Sequence, residues 1–344
     1  MRRIVLLTDG LTNVGTAKTA VNLIRYKPDE VVAILDPSNV GKTSGELFGL
    51  GKVPVIRALS EAPGANNLAI GIAPAGGKLP STLRAALLEG IGRGMEILSG
   101  LHQFLSDDPE LAEAARRQNV RIFDVRKNNE RDVTQRKNIN HRCLRIHTVG
   151  QDCNVGKMVV SVEVTNVLRK RGCDAKFVAT GQTGIMVEGD GCPIDAVVAD
   201  FINGAAEKLV LQNQHHEILL IEGQGSIIHP RYSAVTLGLL HGCMPQGLVL
   251  CYEMGRNTVY GMDHIKLPCL KQFKELYELN ANTQRPCRVI AVAINGRKFT
   301  DAEVEEERKR VEDELGLPAA DVLRHGPDRL AQAILRNKEA LLSS

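Results

Sequence analysis

Short apolar runs alternate with amphipathic stretches along the whole chain. Runs such as Ile4 to Thr8, Val31 to Leu35 and Leu68 to Ala73 are too short and too continuously apolar for surface helices. They are separated by segments whose polar residues fall at helical spacing. This is the βαβ pattern of parallel sheets covered on both faces. In the first half it predicts a long helix from Ser81 to about Leu101, a shorter one from Pro109, and a strand from Arg121 to Val125. The polar stretch Arg126 to Arg142 carries neither period and reads as a linker. The cycle then restarts with a strand from Leu144 to Val149 and a helix from Gly156 to Arg171. Further strands are expected at Ala175 to Thr180, Ile218 to Ile221, Leu248 to Tyr252 and Arg288 to Ile294, with helices starting near Asp195, Ser233, Leu267, Thr300 and Pro327. The expected fold class is α/β, with two wound parallel-sheet domains spanning 1–140 and 141–344.

Composition narrows the class. A chain of 344 residues fits two domains of ordinary size. No window approaches the roughly 18 consecutive apolar residues of a membrane span, and the first apolar run stops at Thr8-Asp9-Gly10 without a cleavage-type sequence. A soluble protein without a membrane role is expected. The net charge is +3, with cations and acids interspersed and few aromatics, which is no footprint for nucleic acid. All eight cysteines lie in the expected second domain, from residue 143 onward, and none forms a Cys-x-x-Cys pair. That usage suits a reducing cytoplasm better than a disulfide framework or a zinc site. Apolar helices are compatible with a homo-oligomer.

The strongest chemical signal is Gly150-Gln151-Asp152-Cys153-Asn154-Val155-Gly156-Lys157-Met158, placed between a strand and a helix. Glycines there let backbone N–H groups curl around a phosphate, the helix amino terminus adds its positive end, and Lys157 supplies a mobile ammonium. Five residues separate the glycines, one more than in the common P-loop, as in dethiobiotin synthetase and its relatives. Met158 stands where Ser or Thr would hold Mg²⁺, and a thioether does not replace a hard oxygen ligand. The loop is therefore expected to grip a pyrophosphate, and magnesium-dependent hydrolysis is in doubt. Val40-Gly41-Lys42-Thr43 ends like a P-loop but lacks the leading glycine, and reads as a loop and helix start. Gly10 to Gly15 lacks the order of a dinucleotide fingerprint, which argues against a nicotinamide role, although Lys18 could still reach an anion. Asn-Val-Gly recurs at 13–15, 39–41 and 154–156, too short a repeat to establish duplication.

Ligands of wound parallel sheets collect beyond the carboxyl ends of the strands. Glu222 stands there, followed by Gly223-Gln224-Gly225-Ser226, and could act as a general base or hold a metal; a carboxylate satisfied by backbone N–H groups is the plain alternative. His229 is a second proton acceptor by type, while Arg231 and Tyr232 in the same loop could fix a carboxylate, with Ser233 a plausible helix cap. Gln182 sits in a close turn, Gly181 to Gly184, and Lys78 ends a glycine-rich turn after an apolar strand of the first domain. Glu253 with Arg256 has a ready explanation as a solvated surface pair, and the stripe Asp200, Asn203, Glu207 as a water-facing one. Lone histidines such as His102, His147 and His241 more often make one hydrogen bond than bind a metal.

Longer motifs carry a family resemblance. Gly150-x-Asp-Cys-Asn-Val-Gly-Lys-Met, Ala179-Thr-Gly-Gln-Thr-Gly-Ile, Asp195-Ala-Val-Val-Ala-Asp, Glu222-Gly-Gln-Gly-Ser, His229-Pro, Tyr232-Ser and Thr236-Leu-Gly-Leu-Leu-His-Gly resemble the formerly uncharacterised bacterial P-loop family that includes D-glutamate N-acetyltransferase. Ile70-Gly-Ile-Ala-Pro-Ala-Gly-Gly-Lys-Leu-Pro and Gly100-Leu-His-Gln-Phe-Leu-Ser-Asp resemble its Rossmann-like amino-terminal domain. The resemblance implies a Rossmann-like first domain and a P-loop NTPase-like second domain related to dethiobiotin synthetase. It also implies an enzyme moving an acetyl group from acetyl-CoA, as co-substrate, to the amine of D-glutamate. On that reading the cradle residues 150, 152–158 hold the donor's phosphates and Lys157 assists. Glu222 or His229 takes the ammonium proton, and Arg231, Tyr232, Gln182 or Lys78 holds the acceptor. Backbone N–H groups of Gly223 to Gly225 would stabilise the oxyanion. No tightly bound metal is required. Two alternatives remain at this stage: an ATP- and Mg²⁺-dependent ligase or kinase, and a nucleotide- or CoA-binding module without turnover.

Overall fold

Each of the two principal sheets has six strands, and every pair of neighbours within them runs parallel. The computed structural model describes residues 1–13 and 15–343, leaving aside the Ala75 side chain. Val14, the middle of the first Asn-Val-Gly, lies outside the described residues. The chain divides into two compact units, residues 1–127 with 185–189, and residues 128–184 with 190–344.

The first unit contains β1 (Ile4–Leu7), α1 (Lys18–Tyr26), β2 (Val31–Leu35), α2 (Ser44–Phe48), β3 (Val55–Ile56), β4 (Asn67–Ile70), α3 (Arg84–Gly92), β5 (Glu96–Ser99), α4 (Pro109–Gln118) and β6 (Ile122–Asp124). Its strand order, β3-β2-β1-β4-β5-β6, is that of the doubly wound Rossmann sheet. Val5, Leu6, Leu7, Leu68 and Ile97 are buried, which explains their unbroken apolar runs. Local chemistry sets the helix ends. Asp108 caps α4 by accepting Leu111 N–H at 3.2 Å, with Pro109 in the first turn. Thr43 and Glu46 form a capping box on α2, so Val40 to Thr43 is the loop and helix start that its missing glycine predicts. The long helix expected over Ser81 to Leu101 does not exist. It breaks after Gly92, Gly94 takes φ +77°, and Glu96–Ser99 becomes a strand between β4 and β6. A buried Ile-Leu-Ser run is ambiguous by periodicity, and the glycines decide it.

The second unit contains β7 (Leu144–Gly150), α5 (Lys157–Lys170), β8 (Ala175–Val178), the start of α6 (Gln182–Glu188), α7 (Ile202–Asn213), β9 (Ile218–Ile221), α8 (Ser233–Cys243), β10 (Gly247–Glu253), β11 (Thr258–Val259), β12 (Met262–Lys266), α9 (Leu270–Asn282), β13 (Arg288–Asn295), α10 (Asp301–Leu315), β14 (Ala319–Ala320) and α11 (Asp328–Leu342). Strand order is β14-β13-β10-β7-β9-β8, with a separate antiparallel hairpin of β11 and β12. Ile146, Leu220 and Val249 pack on one side with Val160, Val164, Leu330 and Ile334 of α5 and α11. Leu248, Leu250 and Val289 pack on the other with Phe273, Tyr277, Val304 and Val311.

Four expectations are corrected in this unit. The stretch 128–142 is no free linker, because it belongs to the second unit and is anchored on α7. Buried Glu207 accepts Thr134 Oγ1–H and the N–H groups of Gln135 at 2.7 Å and Arg136 at 3.1 Å, so it does not face water either. The helix expected from Asp195 is two short turns, with α7 starting only at Ile202, because Val197 is extended. Ser233 is the first residue of α8 and Tyr232 takes the cap position without a side-chain bond. The far end of α8 is held by cations: Arg145 Nε donates to Met244 O at 2.9 Å and Arg136 Nη2 to His241 O at 2.8 Å. Guanidinium groups at a helix carboxyl terminus satisfy its orphan carbonyls and its negative end, which fixes the helix that carries the 222–232 loop.

Candidate active site

The P-loop sits at the carboxyl end of β7, the strand between β10 and β9. Gly150 is needed for room, since a Cβ there would lie 3.0 Å from both Lys157 Nζ and Val155 Cγ2. Asn154 (φ +59°) and Gly156 (φ +103°) turn the chain through left-handed conformations before α5 starts. Lys157 is buried, and its ammonium donates to Asp152 O and Gly225 O, each at 2.7 Å. Burial lowers its pKa. Tyr277 braces the loop from α9: its hydroxyl donates to Gly150 O at 2.8 Å and accepts Ile227 N–H at 3.1 Å. Ser226 Oγ donates to Gln151 O at 2.9 Å, closing the 222–232 loop onto the cradle.

Glu222 follows β9 directly inside this frame and is 5% exposed. Its Oε2 accepts the N–H groups of Thr180 at 2.9 Å and Gly181 at 3.1 Å. Close packing requires glycines around it: a Cβ on Gly184 would lie 2.3 Å from Oε2, and one on Gly223 only 1.7 Å from Thr148 O. Burial raises the Glu222 pKa to about 7, against the partial opposition of its two backbone donors and Lys157. A carboxylate poised there exchanges a proton near neutral pH. Gly223 N–H is spent on Thr148 Oγ1 at 3.1 Å, so that amide is not a free oxyanion donor.

On the other flank stands Asp152, fully buried within the loop. Its Oδ2 accepts Arg256 Nη1–H at 3.2 Å and Tyr260 N–H at 2.6 Å; its Oδ1 accepts Cys153 N–H at 2.6 Å. The β11–β12 turn is thereby tied to the P-loop. Glu253 and Arg256 are no solvated pair: Glu253 is 2% exposed, bonded to Arg256, with Lys298 Nζ 2.7 Å from its Oε1. Asp152, Cys153 and His229 bring one ligand-type atom each within 4.8 Å of one another, a grouping that no sequence spacing signalled. Donors already engage both lone pairs of Asp152 Oδ2 and one of Oδ1. His229 Nδ1 accepts Arg231 N–H at 3.1 Å, which leaves Nε2 the protonated nitrogen.

The remaining predicted residues are distributed as follows. His229 is buried and Arg231 and Tyr232 are exposed beside it, with the His229 and Tyr232 rings 4.6 Å apart. Gln182 is buried at the start of α6. Met158 lies in the first turn of α5. Lys78 is exposed after β4 in the first unit. His147 and His241 make single carbonyl contacts, to Ile221 O at 3.1 Å and Asn280 O at 3.2 Å, as expected of structural histidines. Tyr277 and Tyr260 escaped the sequence reading, because each comes from an element distant in the chain and neither belongs to a motif. All eight cysteines are free thiols. Among the described residues no helix is long and apolar enough to cross a membrane.

A glycine-lined P-loop with Met158 after its lysine, flanked by the buried carboxylate of Glu222, defines an α/β protein of P-loop architecture. The chain matches two family descriptions, a domain of unknown function described as a P-loop domain (DUF1611_C) over residues 127–331 and a Rossmann-like domain (DUF1611_N) over residues 37–128. It belongs to the DUF1611 family. It is 35% identical over 323 residues to a protein of Tritonibacter scottomollicae named D-glutamate N-acetyltransferase, covering 92% of this chain and 94% of that one. A Pseudoalteromonas protein of the same name is 35% identical over 268 residues, covering 78% and 80%. The crystal structure of a DUF1611 family protein from Anabaena variabilis superposes with a TM-score of 0.92 at 34% identity, covering 98% of this chain and all of that one.

Proposed function

We propose that this protein is an N-acetyltransferase that moves the acetyl group of acetyl-CoA to the amine of D-glutamate. The observation that carries the reading is Glu222, whose burial raises it to about 7 beside a phosphate cradle. Simple phosphate binding has no use for a carboxylate there, whereas an ammonium must lose a proton before it can attack a thioester. Met158 in the magnesium position suits a pyrophosphate that is gripped and not cleaved. The names of the two relatives agree with this chemistry.

In this reading Lys157 and the curled backbone hold the CoA pyrophosphate. Arg231, exposed beside His229, takes a carboxylate of the acceptor. Glu222 as carboxylate accepts a proton from the ammonium, and the amine nitrogen attacks the thioester carbonyl carbon. The C–N bond forms as the C–S bond breaks, and the second proton shed by the nitrogen goes to the departing thiolate, which leaves as free CoA. The test incubates the protein with D-glutamate and either acetyl-CoA or ATP, following free thiol and ADP. Thiol release that requires D-glutamate is expected; ADP formation with ATP would replace the reading by a ligase, and neither product despite tight CoA binding would replace it by a binding module. Because the carboxylate form is required, the rate is expected to fall as pH drops below about 7.

A further inference from the structure

Packing accounts for most buried polar groups around the cradle, but not for His229. Its ring is 1% exposed and Nε2 has no hydrogen-bond partner among the described residues. Nδ1 accepts the Arg231 N–H at 3.1 Å. A nitrogen that accepts an N–H does not bear the proton, so the ring is neutral and its proton is on Nε2. The result is an N–H donor inside the protein, next to the P-loop. Asp152 Oδ1 lies 3.7 Å away, beyond hydrogen-bond length, and already accepts Cys153 N–H at 2.6 Å. A buried donor without an acceptor is rare in folded proteins and calls for a specific explanation, a catalytic role among them.

We propose that His229 serves as a neutral hydrogen-bond donor, offering Nε2–H to an oxygen of the acyl donor bound at the cradle, and that it does not take the acceptor's proton. The tautomer stands on the Arg231 contact alone; the identity of the ligand rests on the acetyltransferase reading. Two oxygens of that ligand share the chemistry, a phosphate oxygen and the thioester carbonyl oxygen, whose charge grows as the amine attacks. The proton released by the ammonium then goes to Glu222 and the imidazole stays neutral throughout.

Three variants of the full chain test this. In H229Q the amide N–H falls near the place of Nε2 but cannot accept a proton, in H229N it falls short, and in H229A it is gone. H229Q is expected to keep acetyl transfer within about tenfold of wild type, while H229N and H229A lose roughly 10²–10³-fold, the range for one lost donor at a developing oxyanion. A fall in kcat with CoA affinity unchanged assigns the carbonyl oxygen; weakened CoA binding assigns a phosphate. If H229Q is folded and as inactive as H229A, the basicity of the ring matters and the proposal is overturned. ¹⁵N spectra of the wild-type imidazole give a readout independent of turnover. They are expected to show Nε2–H with unprotonated Nδ1, and an Nε2–H resonance that moves on adding CoA or acetyl-CoA. An Nδ1–H tautomer would overturn the proposal, and so would a resonance that ignores bound ligand. Should wild type bind CoA yet transfer no acetyl group, the transferase reading fails while the spectra still decide the role of His229.

Discussion

Two buried carboxylates occupy corresponding places in the two sheets, and their chemistry diverges. Asp36 follows β2, the neighbour of β1; Glu222 follows β9, the neighbour of β7. Neither is appreciably exposed. Asp36 accepts Gly10 N–H at 3.0 Å, Ser38 N–H at 2.9 Å, Asn39 Nδ2–H at 2.8 Å and the Thr12 hydroxyl. Burial works to raise its pKa, yet these donors together hold it below the ordinary value. Glu222 has two backbone donors on a single oxygen, burial prevails, and it rises to about 7. Deeper desolvation of Glu222 and its smaller set of donors together separate a carboxylate that can exchange a proton from one that fastens a loop.

The largest expected effect comes from removing the exchangeable proton. Glu222→Gln keeps an acceptor oxygen for Thr180 and Gly181 but has no base, so acetyl transfer is expected to fall by roughly 10²–10⁴-fold. Its stability should move the opposite way. A carboxyl raised from 4.5 to about 7 on folding contributes stability that is complete below about 4.5 and lost as pH rises through 7. That loss is about 3 kcal/mol at 1.36 kcal/mol per unit. The Gln variant should therefore be more stable than wild type at pH 8 and gain nothing at pH 4, read by thermal or urea unfolding. Equal gains at both pH values would mean that Glu222 is not titrating in this window.

Lys157→Ala sharpens the same comparison from the cation's side. The ammonium is expected to strengthen donor binding by roughly 10–100-fold, the worth of a charge-assisted hydrogen bond to phosphate. Unchanged CoA affinity by titration calorimetry would remove the cradle premise. Lys157 also holds the Glu222 pKa down by its charge. The acid limb of the pH–rate profile should consequently move to higher pH in the variant.

What the chain disclosed in advance follows from how local each cause is. The cradle was legible because its strand, glycines and lysine are contiguous, and Glu222 because a carboxylate after an apolar strand marks a sheet edge. The pKa of Glu222 was not legible. It depends on Thr180 and Gly181 from another strand end and on close approach of Gly184 and Gly223. The linker reading of 126–142 failed similarly, since the partner of residues 134–136 is Glu207, far along the chain. Gly94 was the visible cue to the broken helix, outweighed by an apolar run that suits helix and strand alike.

Asp36→Asn is the counterpart in the first sheet, with the smallest effect on chemistry. The amide retains one acceptor oxygen but places an NH₂ toward donors the carboxylate had satisfied, either the N–H groups of Gly10 and Ser38 or the Thr12 hydroxyl and Asn39 amide. A loss of about 2 kcal/mol at pH 7 is expected, the scale of hydrogen bonds to a charged group, with turnover per folded molecule close to wild type. The pH dependence should be the mirror of that at Glu222. Since the folded pKa of Asp36 lies below 3.8, its contribution is present above that value and is lost as pH falls through the folded pKa. Wild type and variant should therefore converge in acid, whereas wild type and Glu222→Gln converge there and separate on the alkaline side with the opposite sign. A variant as stable as wild type at pH 7 would show that the donors around Asp36 find other partners, and the contrast between a saturated and an unsaturated carboxylate would lose one of its two terms.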